Sequence, residues 1–302
     1  MTRFYPAADK LASMHFDEFL ENVKREVDFR DVESIAAMAQ PMQRLAVDSG
    51  WFIDYLNSEL VTGFQSDESQ VNLYSSNSFV LNRGTNYLFR ANVWLPSDDP
   101  MRAEGDKPIF AEDLLHDHNF HLLTIGLLGD GYETDIFDYD YDSCLGYPGE
   151  KVHCSDVQRY KLHQGSSLFM IRGKTIHRQL PPETVSVSLN LMSQTPDSVN
   201  ARQYGFVERP GGGLEISSVH YETTQNPGAS ENIINICGSF ANDQTKDILF
   251  GIYGRIAKRA DRNEPLVLLL RDWMPRLGVS LDDLPPLRGA ITDHLKRRLE
   301  AP

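Results

Sequence analysis

From Asn72 onward the chain is built from short runs rich in β-branched and aromatic residues: SFVLN, NYLFRANVWL, HLLTIGLL, YETDIFDYD, QRYKLH, SSLFMIR and TVSVSLNLM. Gly, Pro, Asn and Asp separate them. Many short strands with turn formers between them predict a sandwich or barrel. Helical texture flanks this region. FDEFLENVKREV, VESIAAMAQPMQRLAVDSG and WFIDYLNSELV space their apolar residues by three and four, with Pro41 read as a break. ENIINICGSF, TKDILFGIYGRIAKRA, EPLVLLLRDWMPRLG and PLRGAITDHLKRRLE do the same after Ala229. The expected organisation is a helical cap over residues 1–71, a β-barrel over 72–225 and a helical segment over 226–302. That last segment is expected to pack on the barrel or to form a homodimer contact.

The net charge of −14 speaks against nucleic acid or an anionic membrane as partner, because both reward clustered Lys and Arg. No run of about 18 apolar residues occurs, and the first twenty residues lack the apolar core of a signal peptide, so a cytoplasmic protein is expected. Three scattered cysteines, Cys144, Cys154 and Cys237, fit a reducing compartment better than a disulfide framework. Cys144, His153, Cys154 and His163 lack the paired C-x2-C knuckles of a zinc site, which leaves them as thiols and imidazoles in or near a loop.

Within the β-rich region, LLHDHNFHLLTIGLLGDGYETDIFD (114–138) packs His116, His118 and His121 into six residues. In extended backbone side chains alternate, so His116 and His118 share one face and Asp117 takes the other. One strand thereby offers two metal ligands. The best third candidate is His177, in GSSLFMIRGKTIHRQLPPETVSVSLNLMS. Three neutral imidazoles leave a dication its full charge and open positions for an anionic substrate and O2. Zinc with an activated water is the competing reading of the same donors.

The two histidine segments have the order and shape of the two halves of a cupin motif. H-x-H leads to a strand, the turn Gly129-Asp130-Gly131 and a returning strand with Glu133, and later Gly165, Gly173 and His177 follow in turn. Within that superfamily the first segment resembles the H-D-H, further His, G-x3-E-T pattern of cysteine dioxygenase and related thiol dioxygenases. His177-Arg178 followed by VSLNLMS is similar to that family's second motif. The resemblance implies a cupin-type β-barrel (double-stranded β-helix) with Fe(II) held by His116, His118 and His177. It implies a pocket place for His121, which becomes the candidate catalytic residue; a fourth ligand or a satisfied core histidine are the other readings of that side chain.

Two departures bear on the substrate. Leu122 stands where the crosslinked members carry a cysteine, and Asn190 and Met192 stand where they carry the pocket histidine and the crosslinking tyrosine. No Cys-Tyr cofactor forms from these residues. A carboxylate-bearing substrate would call for an arginine, whose planar fork matches that group. Arg83 and Arg90 are the leading candidates, ahead of Arg172 and Arg178, and Tyr87, Tyr160 and Tyr204 are candidate substitutes for the absent tyrosine. The acidic run Asp135, Asp138, Asp140 and Asp142 reads as a solvated strand edge. The expected function is a non-heme Fe(II) oxygenase or oxidase acting on a small polar substrate, an amino acid or another carboxylate, with O2. An O2-independent hydrolase, isomerase or cyclase, and a non-catalytic ligand-binding barrel, are the alternatives.

Overall fold

Tyr87–Trp94 shows what alternation does in this sequence. Phe89 and Ala91 join one buried core, while Leu88 and Trp94 join another on the opposite face of the same strand. A strand apolar on both sides must be covered twice. In the computed structural model, residues 1–62, 77–99, 113–195, 198, 202–220, 227–258 and 264–287 are described.

Thirteen strands are assigned among the described residues: β1 (Arg3–Tyr5), β2 (Ser78–Arg83), β3 (Tyr87–Trp94), β4 (Leu115–Asp117), β5 (Leu122–Leu128), β6 (Tyr132–Asp138), β7 (Lys151–Val152), β8 (Gln158–Leu162), β9 (Ser167–Met170), β10 (Thr175–Gln179), β11 (Ser186–Ser193), β12 (Gln203–Glu208) and β13 (Leu214–His220). They form two antiparallel sheets, ordered β1-β9-β5-β11-β3-β2 and β7-β13-β12-β4-β10-β6-β8. Along the chain β3, β4, β5 and β6 pass back and forth between the sheets, and β8, β9, β10 and β11 do so again. Four strands of each sheet, β9-β5-β11-β3 and β4-β10-β6-β8, therefore make the double-sheet jelly roll of the cupin type. The fold is mainly β with helical additions.

The chain divides into two compact units: Met1–Ser198 with Arg202–His220, and Val199–Ala201 with Tyr221–Pro302. In the first, α1 (Phe16–Glu26), α2 (Val32–Ala36), α3 (Ala39–Val47) and α4 (Gly50–Thr62) cover the outer face of the first sheet. Phe19, Leu45 and Phe52 meet Phe89, Leu123, Ile125, Leu127 and Leu189 there. Each such fully buried side chain contributes about 1.5–3 kcal/mol. The helix boundary falls at Ala37–Met38, and Pro41 sits in the first turn of α3 rather than at the break. An imino nitrogen costs nothing there, because first-turn N–H groups have no partner within a helix.

The core between the sheets is smaller. Leu88, Leu122, Leu168, Met170 and Met192 of one sheet meet Tyr132, Ile136 and Leu162 of the other. The second sheet's outer face carries Leu115, Tyr139, Ile176, Tyr204, Phe206 and Ile216. Gly131 (φ +76°) closes the β5–β6 connection where an added Cβ would lie 1.8 Å from the Leu162 carbonyl oxygen, so only glycine fits. The β12–β13 hairpin, which the sequence reading did not single out, extends the second sheet beside β4.

The second unit contains α5 (Pro227–Ser239), α6 (Asp243–Ala257) and α7 (Glu264–Arg276), with a core that includes Ile234, Leu249, Tyr253, Val267 and Leu270. The expected helix PLRGAITDHLKRRLE lies largely outside the described residues. None of the described helices is long and apolar enough to cross a membrane.

Candidate metal centre

β4 and β10 are neighbours, and their register sets His177 directly opposite His116. His118 follows one step past the end of β4 on the same face as His116. The three rings lie 4.3 Å (His116–His177), 4.7 Å (His118–His177) and 4.9 Å (His116–His118) apart, centroid to centroid. One nitrogen from each lies within 4.8 Å of the others, and this is the only such group of three or more His, Cys, Asp or Glu side chains found among the described residues. Cys144, His153, Cys154 and His163 are not gathered into one.

The chemistry of the donors fits a cation. The Nδ1 of His116 is 2.9 Å from the Leu114 carbonyl oxygen. A carbonyl can only accept, so Nδ1 carries the proton and Nε2 keeps its lone pair. Burial, together with the other imidazoles, holds His118 and His177 well below the ordinary histidine range, so both rings are neutral near pH 7. His118 Nε2 and His177 Nε2 are 2.9 Å apart. Two nitrogens each roughly 2.1 Å from a shared ion are separated by this much when the angle at the ion is about 90°. A cation placed there would be held by His118 and His177, with His116 as the third donor. The His118 ring stacks on Phe120 at 4.4 Å, and its Nδ1 is buried with no hydrogen-bond partner among the described residues.

Asp117 faces the other way. Fully buried behind the histidines, it accepts hydrogen bonds from the Tyr139 hydroxyl and, at 2.5 Å, from the Tyr204 backbone N–H. Burial pushes its carboxyl up to about 7, against the lowering pull of those two donors.

Of the arginine candidates, Arg90 points between the sheets on the face shared by Leu88 and Trp94, is 9 % exposed, and its charge contributes to the lowered pKa of His118. Arg83 ends β2 exposed to solvent. Arg178 lies on the outer face, paired with Asp135 at 2.8 Å and Glu208 at 3.2 Å. Arg172 donates its backbone N–H to His121 Nδ1 at 3.2 Å. His121 is not one of the three clustered imidazoles: its ring is 6.1 Å from Phe169, a member of the core under the N-terminal helices.

The tyrosines also sort by face. Tyr87 stacks on Phe29 and donates to Asn82, Tyr204 stacks on Tyr141 behind the second sheet, and Tyr160 packs against Phe4 at the rim of the inner core. Tyr132 also faces inward, its ring 4.3 Å from that of Trp94 and tilted by 37°, with burial raising its hydroxyl to about 12. Sequence reasoning passed over it, although it opens the YET segment and alternates with Thr134 and Ile136. Trp94 Nε1 donates to Ser188 Oγ at 2.9 Å, and Asn190, the register partner of Arg90, completes a polar strip on this wall. The acidic run is not a solvated edge throughout. Asp135 is buried and held by Arg159 (2.7 Å) and Arg178, while Asp140 pairs with Lys174.

No protein-family profile matches the chain, and comparison with curated proteins finds no match. Solved structures give partial likenesses. Hydroquinone 1,2-dioxygenase from Sphingomonas sp. TTNP3 aligns at 12 % identity over 44 % of this chain and 75 % of that one, with a TM-score of 0.26. RmlC from Streptococcus suis aligns at 10 % identity over 41 % and 73 %, TM-score 0.19. SnoK, a non-heme alpha ketoglutarate dependent carbocyclase from nogalamycin biosynthesis, aligns at 9 % identity over 44 % and 62 %, TM-score 0.22. The jelly-roll strand order stands independently of these likenesses.

Proposed function

We propose that this protein is a non-heme iron oxygenase or oxidase in which His116, His118 and His177 hold ferrous iron, and that it acts on a small carboxylate-bearing substrate. The observation that carries the reading is the convergence of three imidazole nitrogens between the sheets, two of them 2.9 Å apart. Bound iron would supply a Lewis-acidic, redox-active centre at which O2 and substrate meet.

The chain's own residues do the rest. Arg90 offers a planar, permanently charged fork to a carboxylate, and its position on the inner face beside Asn190 supports that role. Leu122, Leu168, Met170 and Met192 surround the polar strip with apolar surface, which limits water and strengthens each charge interaction inside. With Leu122, Asn190 and Met192 at those positions, substrate recognition does not depend on a crosslinked tyrosine.

The test is anaerobic reconstitution with ferrous iron, followed by oxygen-electrode assays over amino acids, thiol acids and simple carboxylates. One iron per chain and O2 uptake matched to loss of one substrate class are expected. Turnover of the same substrate without O2, or equal activity with zinc, would replace this reading with a hydrolase, isomerase or cyclase.

A further inference from the structure

Two residues beyond His177 on the same face of β10 lies Gln179, 6 % exposed. Its amide nitrogen is 3.0 Å from His177 Nδ1, and its amide oxygen is buried with no hydrogen-bond partner among the described residues. A buried carboxamide with one end satisfied and the other empty is uncommon, because the unmade bond costs about 1–3 kcal/mol. The oxygen and nitrogen ends of a carboxamide have nearly the same shape, and a half-turn exchanges them.

That half-turn matters because of what lies on the far side of the ring. His177 Nε2 faces His118 Nε2 at 2.9 Å. Two ring nitrogens this close are satisfied in one of two ways: by a proton on one donating to the other, or by a cation shared between their lone pairs. With a proton on His177 Nε2, its Nδ1 is an acceptor and needs an N–H from Gln179. With a cation, the ring proton must sit on Nδ1, which then needs the oxygen of Gln179. A carboxylate or a backbone carbonyl serves only the second state. A carboxamide serves both.

We infer that Gln179 is a positioning residue that follows the tautomer of His177, donating to Nδ1 when the two histidines share a proton and turning to accept from Nδ1–H when they share a cation. The ring stays neutral throughout: Nε2 gives a proton up and Nδ1 takes one, through solvent, and no net proton is released by this histidine. The device keeps the imidazole pair in register without a metal and presents both lone pairs once one arrives. It rests on the metal-centre reading.

The experiment uses the full-length protein with 15N-labelled histidine. Long-range 1H–15N correlation spectra are recorded cation-free and after loading with zinc, a diamagnetic probe, and zinc affinity is measured by chelator competition. In the wild type, His177 Nδ1 should lack a proton without zinc and carry one with it. Gln179→Glu, which only accepts, should hold the proton on Nδ1 in both conditions and bind zinc more tightly than wild type. Gln179→Met, matched in size but without a partner for Nδ1, should bind zinc 10–100-fold more weakly. A proton on wild-type Nδ1 in both conditions, or wild-type zinc affinity in both variants, overturns the inference. Should Gln179→Met not fold, the wild-type spectra and Gln179→Glu still decide it. Failure of the wild type to bind zinc, cobalt or ferrous iron at all would instead sink the metal centre itself.

Discussion

The two faces of the sheet that carries β4 and β10 treat polar groups in opposite ways. On the outer face, Asp117 has Tyr139 and the Tyr204 backbone, and Asp135 has Arg159 and Arg178. On the inner face, His118 Nδ1, Thr134 Oγ1 and Gln179 Oε1 are buried without hydrogen-bond partners among the described residues. Both sets come from the same short strands and differ only in the parity of their positions. A fold that satisfies its buried carboxylates on one side has the means to do so on the other. Polar atoms of this kind are where ordered water or a ligand finds its hydrogen bonds.

The largest effect expected from breaking this contrast is at His177. His177→Ala, or the same change at His116 or His118, should reduce iron content to background and abolish activity while the circular dichroism spectrum is kept. Full activity in any one of the three would sink the ligand assignment. Arg90→Met should come next. It keeps the length and removes the fork, so substrate affinity should fall roughly 10–100-fold, as expected for losing hydrogen bonds to a charged group worth about 1.5–3 kcal/mol. Iron content should not change. A loss of iron in this variant, or unchanged affinity for every carboxylate substrate, would remove Arg90 from the binding role.

Much of this contrast is legible in the sequence, because it rests on a period of two. H-D-H in extended backbone separates His116 and His118 from Asp117 without any knowledge of the fold. The pairing with His177 is not local: it depends on β10 lying beside β4, and four intervening crossings between the sheets bring that about. Gln179 carried the same signal as His118, a polar residue two positions from a histidine on one strand, and was passed over because glutamine alone suggests no chemistry. The partners of Asp117 are 22 and 87 positions away in the chain, and nothing in the sequence near it points to them. The β12–β13 hairpin is written as QYGFVE and LEISSVH around a glycine-rich turn, but its short outer-face alternation is weaker than that of the central strands.

On the outer face the effects should fall on stability and leave the metal untouched. Burial pushes the Asp135 carboxyl up, but hydrogen bonds and charge from Arg159 and Arg178 outweigh it and hold the group below its ordinary value of 3.8. A carboxyl lowered on folding stabilises the native state above the unfolded value, and that contribution disappears as pH falls through the folded one. Asp135→Asn should therefore cost about 1–3 kcal/mol at pH 7 in urea unfolding, and progressively less on going into acid. Iron content equal to wild type is the outcome that separates the two faces.

The smallest and most specific effect is expected at His121. Burial, with a minor contribution from Arg172, lowers this imidazole from 6.5 to about 4, so the folded protein binds its proton later than the unfolded chain does. Stability contributed by neutral His121 is complete above pH 6.5 and is lost as pH falls from there toward 4, because the unfolded state takes up the proton first. His121→Gln retains an acceptor for the Arg172 backbone N–H and removes the titration. Its unfolding free energy should match wild type within about 0.5 kcal/mol at pH 8. The two should diverge below pH 6.5, with the variant losing less. A role for His121 as an acid–base group in the pocket adds a second prediction for the same variant: a fall in turnover of about 100-fold or more at neutral pH. The ring's place beside Phe169, outside the group of three clustered imidazoles, predicts that turnover at neutral pH is kept.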